Sequence, residues 1–222
     1  MIEITNTDSY GWEAAIRGMR NPLNSWYKSD TNYRAMRIHH LRNEAGSVGT
    51  PDIGENDLDL MKRLIKGGTE HRKFLRMITI TADINAPMYW WSEYDTYKVG
   101  TVANSCSKMH TLHKRNLTLD DFSHEHLSQC NKNLLALVMK NINEARIMYV
   151  ANPLSPVAKE DWYQMIQLLP CSYNQKRTVQ LNYEVLLTQY RQRKGHKLDE
   201  WRQFCDWVED LPYMKEFLEV IK

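Results

Sequence analysis

Alternating apolar and polar positions mark a strand in the first half of the chain. Over residues 77–84, isoleucine or alanine holds every even position, and a mostly polar residue holds every odd one. This period of two predicts a strand with one apolar face. Asn85-Ala86-Pro87 follows, and proline suits the first turn of a helix. We therefore predict a helix over residues 88–98.

Apolar residues at helical spacing predict further helices along the chain. One begins at Asn56 or Asp57 as its N-cap, runs to residue 66 and ends at Gly67-Gly68 in a left-handed C-cap. The glycine-rich stretch 43–56 before it predicts a loop. Other helices are predicted over residues 161–169, 178–193, 198–209 and 213–221.

The longest predicted helix begins at Asp120, Asp121 or Ser123 and extends to about residue 149. Its spacing places one apolar side toward the core. The residues of that side are Leu127, Cys130, Leu134, Leu137, Val138, Ile142, Ala145 and Met148. Together the elements predict a single α+β domain over residues 1–222, with a small antiparallel or mixed sheet and a mostly helical C-terminal half, because strands do not alternate with helices.

Composition narrows the class of protein without identifying a function. Hydrophobic residues make up 42% of the 222 positions and charged residues 25%, which is typical of globular proteins. A net charge of +2 gives no reason to expect a nucleic-acid partner, and no apolar run is long enough to predict a membrane span. Four widely spaced cysteines predict free thiols in a cytoplasmic protein without a metal site.

A polar segment over residues 96–108 carries the most chemistry. It combines two lysines, a cysteine, a tyrosine, an asparagine and several hydroxyl side chains, which predicts an anion-binding site. Cys106 has two interpretations, a reactive thiolate beside Lys98 and Lys108 or a small buried residue in place of serine. The seven tryptophans and twelve tyrosines are interpreted either as core anchors or as aromatic walls around a planar ligand.

The order of these features resembles the flavin-dependent thymidylate synthases. Their motif R-H-R-x-x-S-x-N-E-x-S-x-R, aligned on Ala86-Pro87, falls on Thr96, Tyr97, Lys98, Thr101, Ala103, Asn104, Cys106 and Lys108. His71 precedes the strand, and Leu169-Pro170, Asn182 and Arg193 follow at matching spacing, so the similarity spans about residues 56–215. The chain departs from the motif at Thr96, Tyr97 and Asn104, where the family has Arg, His and Glu.

The resemblance implies a fold, ligands and site residues. It implies FAD, a dUMP-like pyrimidine nucleotide modified at C5, NADPH and a methylene-folate as co-substrates, and a homotetramer. The implied cofactor-binding residues are His71, Lys98, Thr101, Asn104 and Asn182, the substrate-binding residues are Thr101, Cys106, Lys108 and Arg193, and the catalytic residues are Cys106 and Arg193. Because Asn104 cannot act as a base, the alternative is a catalytically inactive homologue that serves as a nucleotide-binding protein or as a structural or interaction protein.

Overall fold

The computed structural model describes residues 1–42 and 47–221. In chain order the elements are β1 (Glu3–Tyr10), α1 (Trp12–Arg20), β2 (Asn32–His40), β3 (Ser47–Asp52), α2 (Glu55–Lys66), β4 (Thr79–Pro87), α3 (Met88–Tyr94), β5 (Thr101–Ser105), α4 (Lys108–Thr111), α5 (Gln129–Ala151), α6 (Ala158–Gln167), β6 (Asn174–Asn182), α7 (Tyr183–Arg193), α8 (Asp199–Asp210) and α9 (Met214–Glu219). The predicted α+β class with a small sheet is confirmed. None of the helices in these described ranges combines the length and the apolar character needed to cross a membrane.

The chain divides into two compact units. The larger unit comprises residues 2–84, 95–104 and 178–222, and the smaller unit comprises Met1 and residues 85–94 and 105–177. The four-stranded sheet has the order β1-β4-β6-β5, and strands β4, β5 and β6 each continue along the chain from one unit into the other. The single domain over residues 1–222 stays a prediction.

The larger unit buries the apolar face of β4. Ile78, Ile80, Ala82 and Ile84 are all buried, which confirms the alternation predicted for this strand. Trp12 packs edge-on against Tyr183, with ring centroids 5.2 Å apart, and this geometry is typical of stable aromatic pairs. In the same unit β2 and β3 form a separate antiparallel ribbon.

The smaller unit is built around α5 and α6. Its core is a cluster of seven buried apolar side chains, namely Leu112, Leu117, Phe122, Leu135, Ile142, Ala145 and Met165. Trp90 and Trp91 on α3 are also fully buried. The interpretation of the tryptophans as core anchors is therefore confirmed for these two.

Several predicted elements differ in the structure. Residues 178–182 belong to β6 rather than to a helix, because Val179 and Leu181 are buried on alternate positions of the sheet. The helix predicted over residues 88–98 ends at Tyr94, and β4 continues through Pro87. Residues 47–52 form β3 rather than a loop, while residues 43–46 of that prediction lie outside the described residues.

The start of α2 is stabilised by a residue distant from it in sequence. Neither Asn56 nor Asp57 caps the helix, since the Asp30 carboxylate accepts hydrogen bonds from their backbone N–H groups at 2.9 and 3.1 Å. Gly68, with φ of 96°, provides the left-handed C-terminus that was predicted. The predicted N-cap of α2 is therefore wrong, and its predicted C-terminal end is confirmed.

Helix α5 begins later than predicted and buries fewer residues. Its N-cap is Ser128, whose hydroxyl accepts from the backbone N–H of Asn131 at 3.3 Å. Leu135, Ile142 and Ala145 are buried. The predicted core positions Cys130, Leu134, Leu137 and Met148 are exposed instead.

Candidate functional site

The residues implied by the resemblance fall in both units. His71, Lys98, Thr101, Asn104, Asn182 and Arg193 belong to the larger unit, whereas Cys106 and Lys108 belong to the smaller one. In each unit an arginine guanidinium lies over an indole ring, Arg193 over Trp201 in the larger unit and Arg177 over Trp91 in the smaller one.

In the larger unit, Arg193 is held between two aromatic rings. Its guanidinium carbon lies 4.6 Å from the ring centroid of Trp201 and 5.6 Å from that of Tyr97. Its Nε donates to the Tyr97 hydroxyl at 2.9 Å, and that hydroxyl donates to Gln192 Oε1 at 2.8 Å. Cation–π contacts and a directed hydrogen bond therefore orient the Tyr97 ring.

The Tyr97 side chain also lines a cavity of about 460 Å³, which we call the Lys98 cavity. This volume lies within the ~300–1,000 Å³ range of small-molecule sites. Among the described residues, its lining consists of Arg76, Thr96, Tyr97, Lys98, Val99, Asn182, Glu184, Val185 and Thr188. Glu184 forms an ion pair with Arg72, whose Nη2 lies 3.0 Å from Glu184 Oε1. The charge of Glu184 is therefore neutralised, and Lys98 and Arg76 give the cavity a positive charge. Such a lining suits an anionic ligand.

Asn182 serves two purposes at this cavity. Its Oδ1 accepts from the backbone N–H of Val185 at 3.0 Å and so caps α7, which leaves the amide NH2 group as its contribution to a ligand. Gly100 has φ of 75°, and a Cβ at that position would lie 2.5 Å from Asn182 Nδ2. Only glycine therefore fits the close approach of the two segments.

In the smaller unit, Lys108 begins α4 and is half-buried. Its Nζ lies 3.0 Å from the Met88 sulfur. Burial lowers the pKa of the Lys108 ammonium, and the charge of Arg177 lowers it further, while Cys171 acts in the opposite direction. The charged form of Lys108 is thus less favoured than in water, and a bound anion would restore it.

A chain of hydrogen bonds positions Arg177 in the smaller unit. Its Nε donates to Gln175 Oε1 at 3.2 Å, and Gln175 Nε2 donates to the Cys106 carbonyl at 2.8 Å. The guanidinium carbon lies 4.2 Å from the Trp91 ring centroid. The sequence does not predict Arg177 as a site residue, because its pattern predicts a helix over residues 178–193 in place of the second half of β6.

Cys106 is exposed, so its interpretation as a buried replacement for serine is wrong. Its sulfur lies 3.6 Å from the Thr111 hydroxyl, which is a weak hydrogen bond at most. Lys108 follows two residues later in the chain. A reactive thiol at this position stays a prediction.

The other implied residues lie outside the lining of the Lys98 cavity. The Thr101 hydroxyl donates to the Tyr97 carbonyl at 2.5 Å, and therefore stabilises the turn before β5. Asn104 is exposed on β5. His71 is also exposed, and its ring lies beside Gly67. Over residues 1–42 and 47–221, no group of three or more His, Cys, Asp or Glu side chains is arranged to hold a metal ion.

Comparison with solved structures reveals similarity over the whole chain. One similar structure is the crystal structure of flavin-dependent thymidylate synthase ThyX from Helicobacter pylori complexed with FAD and dUMP. Its TM-score is 0.64, its sequence identity is 16%, and 97% of each chain is covered. A second crystal structure of ThyX from Helicobacter pylori, also with FAD and dUMP, gives a TM-score of 0.65, 15% identity and coverage of 100% of each chain. No family model and no curated protein matches the sequence. The chain therefore adopts the ThyX fold, as the resemblance implied.

Proposed function

We propose that the protein binds FAD and a pyrimidine nucleotide resembling dUMP. The observation that carries this proposal is the match of the complete fold to two crystal structures of one enzyme, ThyX from Helicobacter pylori, each with both ligands bound. The match to the second structure covers 100% of the chain, so it includes every segment that contributes a residue to the candidate site. We therefore infer that the ligand classes were retained together with the fold.

The side chains present fit anionic ligands with planar rings. FAD and dUMP both carry phosphate, and the Lys98 cavity offers Lys98, Arg76 and the Asn182 amide as donors. In the smaller unit, Lys108 and Arg177 supply a second pair of cations. We assign the first group to the cofactor and the second to the nucleotide phosphate.

When bound, the flavin would supply hydride-transfer chemistry, for which NADPH is the proposed reductant and a methylene-folate the proposed carbon donor. The protein would contribute charge and orientation. Arg193 would hold the Tyr97 ring at the cavity wall, and Lys108 would neutralise phosphate. The Asn104 side chain cannot act as a base. We therefore propose methylation or another modification at C5 of the pyrimidine in which residue 104 takes up no proton.

One specific observation favours a second candidate, an inactive nucleotide-binding homologue. The Tyr97 hydroxyl, at the position of the family's motif histidine, is engaged by Arg193 and Gln192. Turnover discriminates the two candidates, because an active enzyme would oxidise NADPH when dUMP and the folate are added. Binding of FAD and dUMP without turnover would support the inactive homologue.

Cofactor binding can be tested with purified protein reconstituted with FAD. We expect bound flavin after desalting, measured by visible absorbance, and weaker binding by Lys98→Ala, about 10-fold if one charge-assisted hydrogen bond is lost. The matched control is Lys66→Ala, since Lys66 is an exposed lysine of the same unit outside the cavity. A native protein that retains no FAD under any condition would contradict the proposal.

Nucleotide binding has a pH dependence that follows from Lys108. Since phosphate binding needs the protonated ammonium, dUMP affinity should fall as pH rises through the lowered pKa of Lys108, below the usual 10.5. Titration calorimetry across this range would show the loss in the native protein, while Lys108→Met would bind weakly at all pH values. Lys114→Met, an exposed lysine of the same unit, serves as control and should retain the native profile.

The thiol of Cys106 can be tested separately from binding. If it attacks the pyrimidine, Cys106→Ala should lose turnover while it retains dUMP affinity. Cys130→Ala, the replacement of another exposed cysteine in the same unit, is the control. Full turnover by Cys106→Ala would exclude a nucleophilic role and leave the binding proposal unchanged.

A further inference from the structure

Another cavity of the larger unit is lined by a buried arginine and two aromatic side chains. It measures about 230 Å³, and we call it the Trp26 cavity. Among the described residues, its lining consists of Glu13, Ile16, Arg17, Arg20, Trp26, Ser29 and Tyr33. It shares no lining residue with the Lys98 cavity and contains none of the site residues that the resemblance implies.

Helix α1 provides one wall of the cavity, and the segment after it provides the aromatic side chains. The four lining residues of α1 are spaced at i, i+3, i+4 and i+7, which places them on one face of the helix. Trp26 begins a short 3-10 turn, and its Nε1 donates to Asn21 Oδ1 at 2.8 Å. The backbone N–H of Ser29 donates to the Trp26 carbonyl at 3.0 Å. These bonds orient the indole before a ligand binds, which lowers the entropy cost of binding.

Arg20 is a buried cation whose capacity to donate hydrogen bonds is only partly used. Its side chain is 4% exposed, its Nε donates to Asp57 Oδ1 at 2.6 Å, and its Nη1 donates to the Ser25 carbonyl at 3.3 Å. A guanidinium has five N–H groups, and no other group of the described residues accepts from this one. Because buried donors ordinarily have an acceptor, the remaining N–H groups of Arg20 favour one in the cavity that it lines.

The two aromatic side chains favour a planar ligand of limited size. Trp26 and Tyr33 keep 49% and 41% of their surfaces exposed, so an aromatic ring packed against them would bury apolar surface. A cavity of about 150 Å³ already accommodates benzene. The Trp26 cavity therefore fits a single ring with one polar substituent, and it is smaller than the ~300–1,000 Å³ typical of sites for larger molecules such as FAD.

The charges of the lining favour an anionic substituent. Arg17 and Arg20 contribute two positive charges against the one negative charge of Glu13. Glu13 and Arg17 form an exposed pair, with Nη1 and Oε1 3.6 Å apart, and such surface pairs contribute little. A carboxylate on the ligand would therefore balance the charge and accept charge-assisted hydrogen bonds from Arg20.

We propose that the Trp26 cavity binds a small aromatic carboxylate, with its ring against Trp26 and Tyr33 and its carboxylate on Arg20. The inference does not rest on the proposed function, because no residue assigned to FAD or to the nucleotide lines this cavity. The ligand would contact apolar surface through its ring and the buried cation through its anionic group.

The first experiment uses benzoate as the probe and titration calorimetry on the full-length protein. We expect saturable binding of one benzoate per chain, weakened about 10-fold or more in Trp26→Ala and in Tyr33→Ala. Both side chains are partly exposed, so circular dichroism should show an unchanged fold. The matched control is Tyr27→Ala, since Tyr27 is 82% exposed beside Trp26 but lies outside the lining, and it should retain the native affinity.

Absence of saturable binding by the native chain would overturn the proposal. Native affinity in both cavity variants would overturn it as well, because benzoate would then bind elsewhere.

Two analogues test the chemistry of the ligand separately. Benzylamine replaces the carboxylate by a cation, and cyclohexanecarboxylate keeps the charge but lacks the planar ring. Each should bind at least several-fold more weakly than benzoate. Equal affinity for benzylamine would contradict the contact with Arg20, and equal affinity for cyclohexanecarboxylate would contradict the role of the aromatic rings.

Competition with the proposed cofactor tests whether the cavity is a separate site. Because the Trp26 and Lys98 cavities share no lining residue, added FAD should leave the benzoate affinity unchanged. Displacement of benzoate by FAD would show that the cavity belongs to the cofactor site and would overturn the proposal. A chain that binds benzoate but no FAD would contradict only the proposed function.

Discussion

At the scale of single residues, Arg20 and Asp57 form a buried ion pair in the larger unit. Arg20 Nε donates to Asp57 Oδ1 at 2.6 Å, with 4% and 0% of the two side chains exposed. The other carboxylate oxygen accepts from the hydroxyls of Ser29 and Thr31, each at 2.6 Å. Burial by itself would raise the pKa of Asp57, but these hydrogen bonds and the charge of Arg20 lower it overall.

We expect Asp57→Asn to destabilise the protein by about 3 kcal/mol at neutral pH, because Arg20 would keep its charge without a buried partner. Urea unfolding measures this difference. Asp59→Asn lies on the same helix and removes only an exposed pair with Arg63, so its cost should stay below about 1 kcal/mol. Equal costs for the two variants would show that the buried pair contributes no more than the surface one.

The same pair makes stability depend on pH in a defined direction. The folded-state pKa of Asp57 is below its usual 3.8, so its contribution is complete above that value and is lost as pH falls through the folded-state pKa. The gap between native protein and Asp57→Asn should therefore narrow in acid. A gap that stays constant from neutral pH to strong acid would contradict this assignment.

At the scale of elements, the turn before β5 and the start of α7 depend on each other. Gly100 adopts a positive φ of 75° beside Asn182, and Asn182 caps α7. Asn182 also lines the Lys98 cavity, and so does Val99, the residue immediately before Gly100. A change in backbone conformation at Gly100 should therefore disturb both the helix cap and the cavity.

We expect Gly100→Ala to cost about 2 kcal/mol or more, because the left-handed conformation penalises a Cβ and the new atom would contact Asn182 Nδ2. Thermal unfolding compares it with two controls. Gly68→Ala has the positive φ of 96° but open space, so only the conformational penalty applies, and Gly195→Ala has neither constraint and should be neutral or slightly stabilising. An equal effect of all three variants would contradict the contact with Asn182.

At the scale of the whole molecule, ligand binding should appear as added stability. At 100 times its dissociation constant, FAD would stabilise the folded chain by about 2.7 kcal/mol, which for this length is about 5–10 °C in Tm. Differential scanning calorimetry with increasing FAD measures the shift. Riboflavin, which lacks the phosphates, is the control and should shift Tm less; an equal shift would show that the phosphate contacts contribute little.

Local patterns were the reliable part of the sequence. The period of two at residues 78–84 predicted β4 and its buried face, and Gly67-Gly68 predicted the end of α2. The order of motifs predicted the ThyX fold despite 16% identity, because motif order follows chain topology. The first two features depend on residues within a few positions of one another, whereas the order of motifs extends over about residues 56–215.

What the sequence by itself determined was therefore the class of fold, the strand β4 and the polar segment around Lys98 and Lys108. Only the tertiary structure decided that Asp57 pairs with Arg20, that Asn182 caps α7 after a strand, and that α5 exposes Leu134, Leu137 and Met148. The physical reason is that burial and ion pairing depend on the residues that meet in space. Arg20 and Asp57, for example, lie 37 positions apart in the chain, beyond the range of any local periodicity.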